Sequence, residues 1–128
     1  MRFPPQETGF TILRLGLAVM FLWFGLSQLM DGISWVSWVP EWAVNLFHVP
    51  PAMIVLLNGA FETIGGALLA LNIWTRFAAI ILALHLFVIT AEIGMTGIGV
   101  RDFGLATATF ALFFLAGGFS RSERMTRS

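Results

Sequence analysis

Residues 51–71 form an apolar run broken by a single charge, Glu62, in the stretch Asn58-Gly59-Ala60-Phe61-Glu62-Thr63-Ile64-Gly65-Gly66. About 20 apolar residues match the ~30 Å hydrocarbon layer of a bilayer. An ionised carboxylate at that depth carries a large free-energy cost, so Glu62 must face protein, find a partner or carry a proton.

Three further runs of similar length, 9–30, 76–95 and 102–118, accompany it. Together they predict an all-α integral membrane protein, a four-transmembrane-helix bundle forming a single domain over residues 1–128. Composition agrees: 58% of residues are hydrophobic and 11% charged, where soluble domains carry roughly 25% charged residues. Seven arginines balance seven acidic residues, so no basic surface argues for a nucleic-acid partner. Without cysteine, disulfides, thiolate metal sites and thiol redox chemistry within the chain are excluded. No His/Cys metal set, phosphate-cradling loop or nucleophile–base pair is evident, so no metal site and no intrinsic cofactor are predicted. The run 9–30 exceeds the ~7 to 15 apolar residues of a signal peptide, and no A-x-A-like site follows it.

Between Asp31 and Pro51 the pattern changes. Trp35, Trp38 and Trp42 recur at i, i+3 and i+7, interrupted by Pro40 and closed by Pro50-Pro51. Indoles settle at the membrane–water boundary, which predicts a short interfacial helix or half-buried loop between the first two spans. Trp74 marks a second boundary in the very short hairpin 72–75, which makes spans two and three antiparallel neighbours. Residues 96–100 read as a Gly-rich link, residues 1–8 as a short polar arm and residues 120–128 as a polar, frayed tail. Arg2, Arg76, Arg121, Arg124 and Arg127 flank one side, with Arg14 just inside it, and Arg101 lies opposite. The positive-inside rule puts both termini and the Trp74 hairpin in the cytoplasm, with the Trp-rich segment facing outward.

Helical spacing sorts the intramembrane polar residues into faces. Span one aligns Arg14, Ala18, Phe21, Gly25 and Gln28; span two offers Asn58, Gly59, Glu62 and Gly66; span three aligns Ala78, Ile81, His85, Val88 and Glu92. The small residues Gly59, Thr63, Gly66 and Ala70 form a stripe that lets a neighbouring helix approach closely. At 1.5 Å per residue, Arg14 lies ~8 Å, His85 ~14 Å and Glu62 ~18 to 20 Å from the cytoplasmic ends. A flexible guanidinium can climb several ångströms, so Arg14, Glu62 and His85 form a candidate inner cluster. It reads as a structural Arg14–Glu62 ion pair or as a proton-exchanging or quinone-head-group site. Gln28, Asn58, Glu92, Arg101 and Asp102 form a candidate outer cluster, in which Arg101 and Asp102 open span four at the interface.

The motifs Leu13-Arg14-Leu15-Gly16-Leu17, Gly59 to Gly66 followed by Thr75-Arg76-Phe77-Ala78-Ala79, and Arg101-Asp102-Phe103-Gly104 are together similar to those of the DoxX family of small four-helix membrane proteins. The resemblance spans all four helices. It implies a bacterial-type inner membrane and, for some members, quinone-linked sulfur oxidation or partnership with soluble redox enzymes; Arg14, Glu62 and Arg101-Asp102 match recurring polar positions. Read together, these features predict an accessory membrane subunit, surrounded by lipid and by other membrane subunits or copies of itself, in a larger redox or other membrane complex linked to quinone. The alternatives are a small proton-coupled carrier using Glu62 and His85, and a purely structural assembly subunit.

Overall fold

The computed structural model describes residues 5–127, with side chains described through residue 117. Five α-helices follow one another: α1 Pro5–Met30, α2 Glu41–Phe47, α3 Pro51–Leu71, α4 Thr75–Ile93 and α5 Gly97–Arg127, with a 3-10 helix over Gly32–Trp38 between α1 and α2. The segments Pro5–Met30, Pro51–Leu71, Thr75–Ile93 and Gly97–Gly117 are long and apolar enough to cross a membrane. The protein is a multi-pass membrane four-helix bundle.

Local chemistry sets the helix boundaries. Pro51 occupies the first turn of α3, where its missing N–H has no intrahelical partner to lose. Asn72 ends α3 in the left-handed conformation, φ 56°, and the Thr75 hydroxyl donates to its side-chain oxygen at 2.6 Å. Trp74 also holds a positive φ of 49°, unusual for a bulky side chain, so a tight and locked hairpin joins α3 to α4.

The fourth span begins earlier than residue 102. A turn at Gly94, φ 76°, ends α4 at Ile93. The Thr96 hydroxyl then accepts the Gly99 N–H at 3.0 Å, an N-terminal cap that starts α5 at Gly97. Residues 97–100 are therefore the first turn of a helix, not a link, and Arg101-Asp102 sits more than a turn inside it. At the other end the α5 backbone stays helical through Arg127, so the expected frayed tail is a continuation of the helix. The expected polar arm is helical from Pro5, and its first four residues, Arg2 among them, lie outside the described residues.

The long helices form a ring in the order α1, α3, α4, α5, in which α1 packs most extensively on α3 and α4 on α5. The first pair is pinned by glycine. A Cβ on Gly25 would come within 2.8 Å of the Gly59 carbonyl oxygen, and one on Gly59 within 2.9 Å of the Gly25 carbonyl oxygen, so the two backbones touch. Gly66 meets Phe21 and Leu22 in the same interface, which places the expected small-residue stripe against α1. Gly65, on another face of α3, receives Leu82 of α4. A dry core of Leu17, Phe21, Leu69, Leu82 and Leu112, with Ala18, Ala78, Ala79 and Ala106, joins the two pairs. Ile12, Val19, Trp23, Ile64, Phe77 and Phe114 are more than half exposed in the isolated chain, as expected where lipid is the solvent.

Candidate functional site

Toward the end of the bundle that carries the Trp-rich segment, the two pairs separate around a cavity of about 770 Å³ lined by all four long helices. This size falls in the usual range for small-molecule sites, ~300 to 1,000 Å³. Its walls are largely aromatic and aliphatic, with Phe21, Phe24 and Phe61 from the bundle and Trp35, Trp38 and Trp42 from the segment above.

Glu62 lies on this cavity and is 4% exposed. It sits one α-helical turn from Gly59 on α3, so the glycine that draws α1 close also brings the α1 face carrying Gln28 against the carboxylate. The Gln28 amide donates to Glu62 Oε2 at 3.4 Å, and the Asn58 amide donates to Gln28 Oε1 at 2.7 Å. From the opposite pair, His85 Nε2 approaches Glu62 Oε1 to 3.4 Å without completing a hydrogen bond among the described residues. The Phe61 ring packs 4.9 Å from the imidazole, centroid to centroid. A carboxyl, an imidazole and two amides thus share one patch of the cavity wall, able to donate and accept hydrogen bonds.

Arg14 is elsewhere. Its Nη1 donates to the carbonyl oxygens of Leu69 at 2.6 Å and Ala70 at 3.0 Å in the last turn of α3, where the Leu69 carbonyl also accepts the Asn72 N–H at 3.3 Å. The expected Arg14–Glu62 ion pair does not form, because the guanidinium finds carbonyls level with it and has no need to climb. The division into inner and outer clusters dissolves as well: Gln28, Asn58, Glu62, His85, Glu92, Arg101 and Asp102 all line one cavity. Asp102, expected at the interface, is 8% exposed because α5 starts early, and its Oδ1 lies 3.5 Å from Arg101 Nε. On α4 the buried stripe is Ala78, Ala79, Leu82, Ala83 and Leu86, rotated from the expected Ala78–Ile81–His85–Val88–Glu92 face. His85 flanks that stripe and reaches the cavity from its edge.

The Trp-rich segment covers the cavity. The Trp35 indole N–H donates to Ser27 Oγ at 3.3 Å and its ring meets Phe24 edge-on at 5.7 Å. Trp42 donates to Glu92 Oε1 at 2.5 Å, which ties α2 to α4 across the chain. Trp74 stands at the opposite end of the bundle, 74% exposed, away from the cavity. A Trp-rich segment between the first two spans was legible in the tryptophan spacing, but its place over a cavity, its contact with Glu92 and the buried Asp102 carried no local signal.

A family model described as DoxX matches residues 9–97. No curated protein and no solved structure matches the chain.

Proposed function

The chain belongs to the DoxX family, and from that premise and the lining of its cavity we propose that it is the membrane subunit of a larger redox complex and receives a quinone-type ring beneath its tryptophan roof. One observation carries this reading: a buried Gln28–Glu62 pair, with the half-buried His85 beside it, lies at the wall of a largely apolar cavity. A quinone ring needs hydrogen-bond donors at its carbonyls, a quinol needs acceptors at its hydroxyls, and this patch offers both beside apolar walls suited to an isoprenoid-bearing ring. When bound, such a ring supplies two-electron, two-proton chemistry; Glu62 and His85 are placed to hold the protons. The exposed aromatic and aliphatic faces of the bundle provide surface for lipid and for partner subunits. With the arginine-rich end in the cytoplasm, as the positive-inside rule directs, the roof faces the outer side of a bacterial-type inner membrane.

The test uses the full chain in phosphatidylcholine nanodiscs, titrated with a short-chain benzoquinone analogue while tryptophan emission is followed. Saturable quenching is expected, and binding of the corresponding quinol, whose hydroxyls can donate to the Glu62 carboxylate, is weakened about tenfold by Glu62→Gln, since charge-assisted hydrogen bonds are roughly twice as strong as neutral ones. Absence of a saturable component overturns the quinone reading. Mild-detergent affinity purification with mass spectrometry tests the subunit reading, which a lone chain without co-migrating protein contradicts.

The 3.4 Å approach of His85 Nε2 to Glu62 Oε1 favours one other reading, a small proton-coupled carrier. It requires a proton-driven flux in proteoliposomes that Glu62→Gln abolishes.

A further inference from the structure

The formal charges of the residues on the cavity wall do not balance. Glu62, Glu92 and Asp102 line it with Arg101 as the one guanidinium among the lining residues. Arg101 and Asp102 lie 3.5 Å apart and offset each other. Glu92 is met by the neutral Trp42 indole, and Glu62 by the neutral Gln28 amide. With His85 neutral, both Glu62 and Glu92 are in excess; counting His85 as the cation beside Glu62, 3.4 Å away, still leaves Glu92. The arginine that sequence spacing offered to Glu62 is spent on the Leu69 and Ala70 carbonyls instead.

The remainder of the wall has the same preference. Trp35, Trp38, Trp42, Phe24 and Phe61 line the cavity, and the faces of aromatic rings attract positive charge. A small inorganic cation does not suit this lining, because stripping its water requires several converging oxygens and most of the wall is carbon. A cation whose charge is spread under an apolar surface loses little hydration on entry, and it gains both the ring faces and the excess carboxylate in a medium of low dielectric.

We propose that this cavity binds lipophilic organic cations, held between the tryptophan roof and the Glu62 and Glu92 carboxylates. The proposal goes beyond a quinone site, because it rests on the net charge of the wall, whereas a quinone or quinol ring is held by individual hydrogen bonds at its oxygens.

Two probes of nearly equal size and shape and opposite charge decide it: tetraphenylphosphonium and tetraphenylborate. Each is titrated into the full chain in phosphatidylcholine nanodiscs, with empty nanodiscs as the reference for partitioning into lipid. The phosphonium is expected to show a saturable component above the reference and the borate none. Equal saturable binding of both, or none of the phosphonium, overturns the proposal without any variant having to fold. Glu62→Gln is expected to weaken phosphonium binding about tenfold, and so is Trp38→Ala, at an exposed roof position where folding is not at stake. Unchanged phosphonium affinity in both variants also overturns it. The benzoquinone titration in the same nanodiscs is scored separately, so failure of one ligand class is not mistaken for failure of the other.

Discussion

The two ends of the bundle solve the same problem, polar groups at bilayer depth, in opposite ways. At the hairpin end Arg14 is consumed by two backbone carbonyls of α3, and small residues and leucines close the space between helix pairs. At the roofed end Glu62 meets side chains, Gln28 and His85, and the pairs stand apart around open volume. A cation that satisfies fixed carbonyls makes a structural cap, whereas a carboxyl surrounded by groups that can change partners makes a site. Depth and charge alone did not separate these fates; the availability of backbone acceptors did.

The comparison breaks first at the glycine contact that supports both ends. Gly25→Leu would press a side chain into the backbone of Thr63 and Gly59, and backbone cannot rotate away as a side chain can. The expected cost is about 3 kcal/mol, read as loss of the folded fraction in a detergent unfolding titration, together with loss of ligand binding. Arg14→Ala should cost about 2 kcal/mol in the same assay, since two charge-assisted interhelical hydrogen bonds go, and should leave ligand binding unchanged. Should Arg14→Ala abolish binding instead, the separation between the two ends fails.

Glu62→Leu sharpens the contrast from the other side. It leaves the Gln28 amide without its acceptor, at an expected cost of about 1 kcal/mol, while ligand binding falls far more than stability does. Smaller still is Trp42→Phe, which removes the indole donor to Glu92 and keeps the ring. Global stability should change by less than about 1 kcal/mol, and hydrogen exchange of the α2 amides should quicken while those of α3 stay protected. At the bottom of the scale lies Thr107→Val. That exposed hydroxyl bonds to the Phe103 carbonyl within its own helix, and its loss should move stability by less than about 0.5 kcal/mol.

Much of the fold was legible because a bilayer leaves a chain few choices. Four apolar runs became four long helices, and the 51–71 run matched α3 residue for residue, since Pro51 and Asn72 are local punctuation. The α1 face of Ala18, Phe21, Gly25 and Gln28 is buried as its spacing predicted. The start of α5 was misread because glycines suggest a link when read alone, while the cap from Thr96 to Gly99 exists only once the turn at Gly94 brings the chain round. The α4 face was misread because alanine and leucine, which pack the core, carry no polar mark, and His85 and Glu92 drew attention to the face beside it.

By itself, then, the sequence determined the number of spans, the Trp-rich segment between the first two of them, the glycine stripe and the presence of one carboxylate at depth, all of which follow from periodicity and from the cost of polar groups in hydrocarbon. Only the tertiary structure decided which partners that carboxylate meets. A helix places Glu62 on a face, but whether Arg14 or Gln28 stands opposite depends on the height at which Gly25 and Gly59 lock α1 to α3, and whether space remains beside it depends on how far α4 and α5 stand away. Both are relations between helices, and no spacing within one helix encodes them.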